Sequence, residues 1–326
     1  MSIDLLSLEP TKVSRDLSGK IILLYGEYKT GKTSTAVKFD RSLLLAFERG
    51  FNALSNIHAQ PIDKWSDFKT ILRQLKDEKV KEKFKNIIID TADIAWDYNE
   101  AFICQKHGVT KLSDIAWGAG YKEAAKEFDT SLREIVKLGY GLILISHSED
   151  KTFTDENGIQ YDKIVPSLAK APKKIILRMT DINGFIKASM NEDGQTRSVM
   201  LMRGTPRFEA GSRYAHIAPM IELTYENLVK ALHDAIDGIQ AAGGNVVEET
   251  INHYVQEMET EVEDFRKMQE RLVAFCEEYV GEDETRYYAV TDIIQQYIPE
   301  GTILSLKPSQ RDVLVALEQA LLELKK

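Results

Sequence analysis

The sequence predicts an α/β fold: a mainly parallel sheet flanked by helices, followed by a small helical module. Three observations carry this. Over the first two-thirds of the chain, short apolar runs alternate with segments of helical spacing, as in a parallel sheet covered on both faces. A glycine-rich loop separates the first apolar run from the first helix. Beyond Ala241-Ala242-Gly243-Gly244-Asn245 the strand-like runs stop and the charge turns acidic.

Taken in order, Ile21 to Tyr25 is a buried strand that ends in glycine, and Thr33 to Phe39 is the helix behind the loop. Leu43 to Phe47 is the second strand. Trp65 to Phe84 has helical spacing, with Phe68, Ile71, Leu72 and Leu75 on one face. Ile87 to Ile89 is a third strand ending at Asp90, and a long helical stretch from Asp93 to about Leu138 follows. Gly141 to Ser146 is a fourth strand, ending at His147. The turn signals Asp155-Glu156-Asn157-Gly158 and Asn191-Glu192-Asp193-Gly194 each predict a hairpin, with a short helix, Pro172 to Met179, between them. Glu248 to Tyr279 reads as a long helix with Tyr254, Met258, Val262, Phe265, Met268 and Leu272 at helical spacing, and Asp312 to Leu324 as another. The expected division is a core at 1–236, a linker at 237–249 and an acidic helical module at 250–326.

The formal charge of -9 is unevenly spread: from Asp237 onward there are 19 acidic residues against 8 basic ones, whereas Lys151 to Arg213 holds 11 basic against 7 acidic. No run approaches the roughly 18 apolar residues of a membrane span, and the first residues lack a basic stretch leading into an apolar one. A cytosolic location without membrane contact is expected. The cysteines, Cys104 and Cys276, are far apart, and the six histidines are scattered, which supports neither a disulfide framework nor a zinc site.

The chemistry begins at Gly26-Glu27-Tyr28-Lys29-Thr30-Gly31-Lys32-Thr33, followed by Ser34. This is a complete G-x-x-x-x-G-K-[ST] pattern placed between a buried strand and a helix start, where backbone amides can surround phosphate oxygens. Lys32 is expected on the β- and γ-phosphates of ATP and Thr33 on Mg2+. Asp90 suits a second acidic partner of the metal; the alternative is a strand-end aspartate that caps the next helix, a role that Thr91 or Asp93 could equally fill. Glu48, after the second strand, is a candidate to orient or deprotonate water. Otherwise it is a solvated loop acid.

The run from Ile21 to about Tyr214 resembles the phage-type RecA-like P-loop ATPases proposed to anneal single-stranded DNA. The resemblance rests on the phosphate loop, Phe47-Glu48-Arg49-Gly50, Ile89-Asp90-Thr91, Trp117-Gly118 and the strand into Ser146-His147. It implies that Glu48 is the catalytic glutamate and that His147, where many members have glutamine, senses the γ-phosphate next to a DNA-binding loop. It also implies a ring or filament with ATP between subunits, and a location in the bacterial host's cytoplasm. Arg203, Arg207 and Arg213 stand where such proteins place basic residues that reach into a neighbour's site, and Arg207 or Arg213 is the expected donor. A solvated basic loop is the alternative for each.

Single-stranded DNA is the expected partner through Lys151, Lys163, Lys170, Lys173, Lys174 and Arg178, interleaved with Phe153 and Tyr161. Asp155, Glu156 and Asp162 dilute that charge, so an ordinary hairpin and helix remain open. The acidic module repels DNA and suits regulation of assembly, occupation of the basic DNA surface when DNA is absent, or a protein partner, or is simply a small bundle. Two other functions stay open: a ring helicase or helicase loader, and a nucleotide-gated binding module with negligible turnover.

Overall fold

A computed structural model describes residues 10–17, 19–190, 193–248 and 253–324, with side chains of the last stretch from 262 onward. The chain forms two compact units, one comprising Pro10–Asn252 and one built on the helices from His253 onward.

In the larger unit, β1 (Val13–Ser14) precedes β2 (Ile21–Gly26), all six residues of which are buried. Burial on both faces is why its sequence is continuously apolar. The phosphate-loop motif leads into α1 (Lys32–Ala36), then β3 (Ser42–Ala46) and the short β4 (Ala59–Pro61). The helical stretch expected over 65–84 is broken into α2 (Trp65–Gln74) and α3 (Glu78–Lys83), because Asp77 accepts a hydrogen bond from the Lys79 amide at 2.8 Å and starts a new helix. After β5 (Asn86–Asp90) the stretch expected over 93–138 also divides. α4 (Ala92–His107) stops at Gly108, whose φ of 65° suits a left-handed C-cap, and α5 (Ala119–Lys137) starts after Gly118.

β6 (Gly141–Thr154) does not end at His147 as expected. Its first half lies in the parallel sheet, and from Ser148 it pairs antiparallel with β7 (Gln160–Pro166). α6 (Lys170–Met179) matches the expected short helix. The second hairpin is β8 (Ile182–Met190) with β9 (Thr196–Leu201), although Asn191 and Glu192 of its turn lie outside the described residues. β10 (Gly211–Ser212), β11 (Met220–Glu222) and α7 (Tyr225–Ala241) follow, and β12 (Val246–Val247) pairs in parallel with β1.

The main sheet has the order β11-β9-β8-β2-β6-β5-β3-β4, parallel from β8 to β4. One face, with Ile22, Leu24, Ile88, Ile143 and Ile182, packs with Leu228, Leu232, Ala235 and Ile236 of α7. The other is covered by α4, α5 and α6.

The linker expected at 237–249 is largely core instead. Asp237–Ala241 completes α7, and Val246–Val247 pairs with Val13–Ser14. Gly243, at φ 88°, turns the chain between the two, so paired glycines that suggest a flexible tether serve here as a tight turn.

The second unit comprises α8 (His253–Val280), α9 (Glu284–Tyr297) and α10 (Arg311–Glu323). Phe265, Met268 and Leu272 pack with Val290 and with Leu314, Leu317 and Leu321. Gln269, buried among them, donates to the carbonyls of Ile303 (2.6 Å) and Leu306 (3.2 Å). The side chains of Tyr254 and Met258 lie outside the described residues.

Candidate functional site

Parallel strands deliver their C-terminal ends to one edge of the sheet, and the register decides which residues meet there. Gly26 of β2 lies beside His147 of β6, and Asp90 of β5 lies beside both Ile145 of β6 and Ala46 of β3. A cavity of about 490 Å³ opens at this edge. Its walls include Tyr28 to Ser34, Glu48, Asp90 and His147, so the chain brings together residues up to 119 positions apart in sequence.

The loop's shape depends on two glycines. Gly26 has a φ of 152°, and a Cβ there would sit 1.8 Å from the Ile186 carbonyl oxygen of β8. Gly31 caps α1 at φ 83°, beyond the easy reach of other residues. The Thr30 hydroxyl donates to the Glu27 carbonyl at 2.8 Å, and the Glu27 carboxylate accepts from the Ala188 amide of β8 at 3.0 Å. These contacts fix the loop on its neighbouring strand.

Lys32 is buried, and its ammonium donates to the carbonyls of Gly26 (3.0 Å) and Glu27 (2.6 Å). No carboxylate among the described residues comes within ion-pair distance of it. Burial lowers its pKa, and the more distant charges of Asp90, Asp93, Glu48 and Glu27 oppose that shift. A buried cation held by dipoles alone beside the unpaired amides of a helix start suits a polyphosphate. The Thr33 hydroxyl donates to Asp90 Oδ2 at 2.7 Å. Burial pushes the Asp90 carboxyl above the usual carboxylate range, against the pull of the Thr33 hydrogen bond. Asp90 does not cap the next helix. Thr91 does, accepting from the Ile94 amide.

Glu48 follows β3 by two residues, and its amide donates to the Asp90 carbonyl at 2.9 Å, which fixes its backbone beside β5. Its carboxylate lies 3.2 Å from His147 Nε2, and the Tyr28 ring stacks on the His147 imidazole with centroids 4.2 Å apart. His147 Nδ1 is buried without a partner among the described residues. Tyr28, Glu48 and His147 therefore form one contiguous wall of the cavity.

The arginines do not line it. The Arg213 guanidinium donates to Asp181 Oδ1 at 3.3 Å and to the Arg178 carbonyl at 2.6 Å, at the start of β8. Ser212 pairs with Ile182 and Gly26 with Ile186, so about 13 Å of strand separates that end from the loop. Arg203 donates to the carbonyls of Tyr214 and Ala215. Arg207 is exposed, and its guanidinium has no partner among the described residues. Asp93, which from sequence is only a candidate helix cap, and Ser167, which sequence does not single out, join α4 to β6 and to the end of β7. Only the spacing of Asp93 three residues after Asp90 hints at this junction.

A glycine cradle, a buried lysine and a threonine–aspartate pair at the C-terminal edge of a parallel sheet define a nucleotide-binding P-loop protein. A family described as an AAA domain matches residues 18–214, more than half of the chain, and the protein belongs to this family. It is also 28% identical over 307 residues to the SPbeta prophage-derived uncharacterized protein YorG of Bacillus subtilis (strain 168), covering 92% of each chain. Among the described residues no helix is long and apolar enough to cross a membrane.

Proposed function

We propose that the protein is a Mg2+-dependent ATPase that acts on single-stranded DNA, promoting annealing or strand pairing in phage-type recombination. The observation that carries the DNA reading is the sorting of side chains on the β6–β7 hairpin. Lys151 lies opposite Lys163, and Phe153 opposite Tyr161 with stacked rings 5.9 Å apart. Strand alternation puts these four on one face, with Glu149 nearer the base. Asp150 and Asp162 point to the other face, where Asp162 accepts from Thr152. Like charges directly opposite one another destabilise a hairpin, so the lysine pair suits an anionic partner. The stacked rings suit unpaired bases. On α6, Lys170, Lys174 and Arg178 recur every fourth residue as an exposed basic stripe.

At the cavity, Lys32 and the loop amides hold the ATP phosphates. Thr33 and Asp90 are the residues placed to hold Mg2+, which supplies charge neutralisation at the phosphates. The described residues contain no cluster of three or more acidic, histidine or cysteine groups for a metal, and two oxygen donors suit an ion that takes its remaining ligands from phosphate and water. Glu48 orients the attacking water, and His147, hydrogen-bonded to it, adjusts that carboxylate to the nucleotide's state. In a ring or filament, the free Arg207 guanidinium is the group to reach a neighbour's site. The acidic second unit is the surface for a protein partner.

The test is ATP hydrolysis with Mg2+, with and without single-stranded DNA, by the protein and by Lys32→Ala and Glu48→Gln. DNA should stimulate turnover, and each substitution should reduce it by about 10²-fold or more. Turnover indifferent to DNA would remove the recombination reading.

A further inference from the structure

The base of the β6–β7 hairpin is fastened by one carboxylate. Asp93, in the first turn of α4, accepts from Ser146 Oγ at 3.1 Å and from Ser167 Oγ at 2.5 Å, both through Oδ1. Ser146 is the fully buried residue of β6 immediately before His147, and Ser167 is the first residue after β7. The Ser167 amide also donates to the His147 carbonyl at 3.0 Å. One side chain thus joins the strand entering the hairpin to the strand leaving it.

Asp93 is also close in sequence to the nucleotide cavity. It stands three residues beyond Asp90, which holds Thr33, and its charge is felt at Lys32. Its second oxygen, Oδ2, is buried without a partner among the described residues. Both hydroxyls donate to Oδ1, so a neutral side chain that keeps an oxygen at that place can form the same two bonds.

We infer that Asp93 is a positioning residue that clasps both stems of the hairpin to the metal-binding end of β5, transmitting occupancy of the nucleotide cavity to the face bearing Lys151, Phe153, Tyr161 and Lys163. Its bearing on DNA rests on the reading of that face proposed above. The clasp itself does not. Nucleotide and metal draw on Thr33 and Asp90, the first turn of α4 follows Asp90, and the two serines follow Asp93. A ligand shifts such an element only by contacting its two arrangements differently, which is what the measurement below reads.

Hydrogen exchange over residues 148–166, with and without ATP-γ-S and Mg2+, tests this in the full chain and in Asp93→Ala, Asp93→Asn and Ser167→Ala. In the unaltered protein, nucleotide should change exchange in the hairpin by about 10-fold, a usual size for coupling between sites. Asp93→Ala and Ser167→Ala should lose that response. Asp93→Asn, which keeps an oxygen in place of Oδ1, should retain it, and Ser167→Ala should bind ATP-γ-S as the parent does. A response that persists in both Asp93→Ala and Ser167→Ala, or that is missing from the unaltered protein, overturns the clasp. If Asp93→Ala does not fold, Ser167→Ala decides alone. Fluorescence anisotropy with a labelled single strand separates the two readings. A nucleotide-responsive hairpin that binds no DNA sinks the DNA assignment and leaves the clasp, whereas DNA binding with an unresponsive hairpin does the reverse.

Discussion

Gly26 shows how little freedom a single position at this site has. Its φ of 152° and the 1.8 Å approach of a would-be Cβ to the Ile186 carbonyl combine backbone strain with a clash against a central strand. Gly26→Ala should therefore destabilise the protein by about 3 kcal/mol, read by chemical denaturation, and abolish nucleotide binding. Asp90 behaves in the opposite way. Burial raises its folded-state pKa above the unfolded value, so the folded state binds more protons between the two. Stability is consequently lost as pH rises through that window, and the loss is complete above it. An asparagine side chain in its place cannot ionise. Without nucleotide, the melting temperature of Asp90→Asn should match the parent's at acid pH and exceed it near neutrality, while ATPase activity disappears. With Mg2+ and ATP-γ-S the order should invert, because only the parent gains the full binding energy. A difference that does not change with pH would mean that burial of Asp90 is not a source of instability.

At the level of elements, the hairpin explains what sequence can and cannot convey. Its turn residues are plain there, and so is its mixed charge. The segregation is not, because it depends on the register: Lys151 meets Lys163 only if Asp155-Glu156-Asn157-Gly158 closes the hairpin with Phe153 opposite Tyr161. The buried run of β6 ends at Ser146, which is why the strand is expected to stop at His147, yet it continues through mostly polar and exposed residues paired to β7. The salt dependence of single-strand binding measures this face. Each phosphate contact on a single strand contributes about -0.7 to the slope of log K against log salt, so four contacts give about -3. Lys151→Ala with Lys163→Ala should make the slope shallower by about 1.4. Asp150→Asn and Asp162→Asn, on the opposite face, should leave it nearly unchanged. A slope that responds equally to both pairs would show that net charge, not the sorted face, governs binding.

At the scale of the whole molecule, the alternation of strands and helices and the phosphate loop are legible because each is local in sequence. The cavity wall of Tyr28, Glu48 and His147 depends on strand order, which composition does not encode, and the boundary of the core depends on a pairing between residues more than 230 positions apart. That boundary makes a prediction about the acidic second unit. Ile236 is fully buried in the core, Arg15 bonds Gln240, and Val246 pairs with Val13. A chain ending at residue 236 should therefore melt lower than one ending at 252, which keeps every one of these contacts. The longer of these two chains still lacks 16 of the 19 acidic residues that follow Ile236, retaining Asp237, Glu248 and Glu249, and so loses most of the charge that repels DNA. It should bind single strands more tightly than the full chain at low salt while hydrolysing ATP comparably. The advantage should shrink as salt rises, since the screening length falls from about 10 Å at 0.1 M to about 3 Å at 1 M. Equal affinity at all salt concentrations would place the acidic unit away from the DNA path and leave a protein partner as its role.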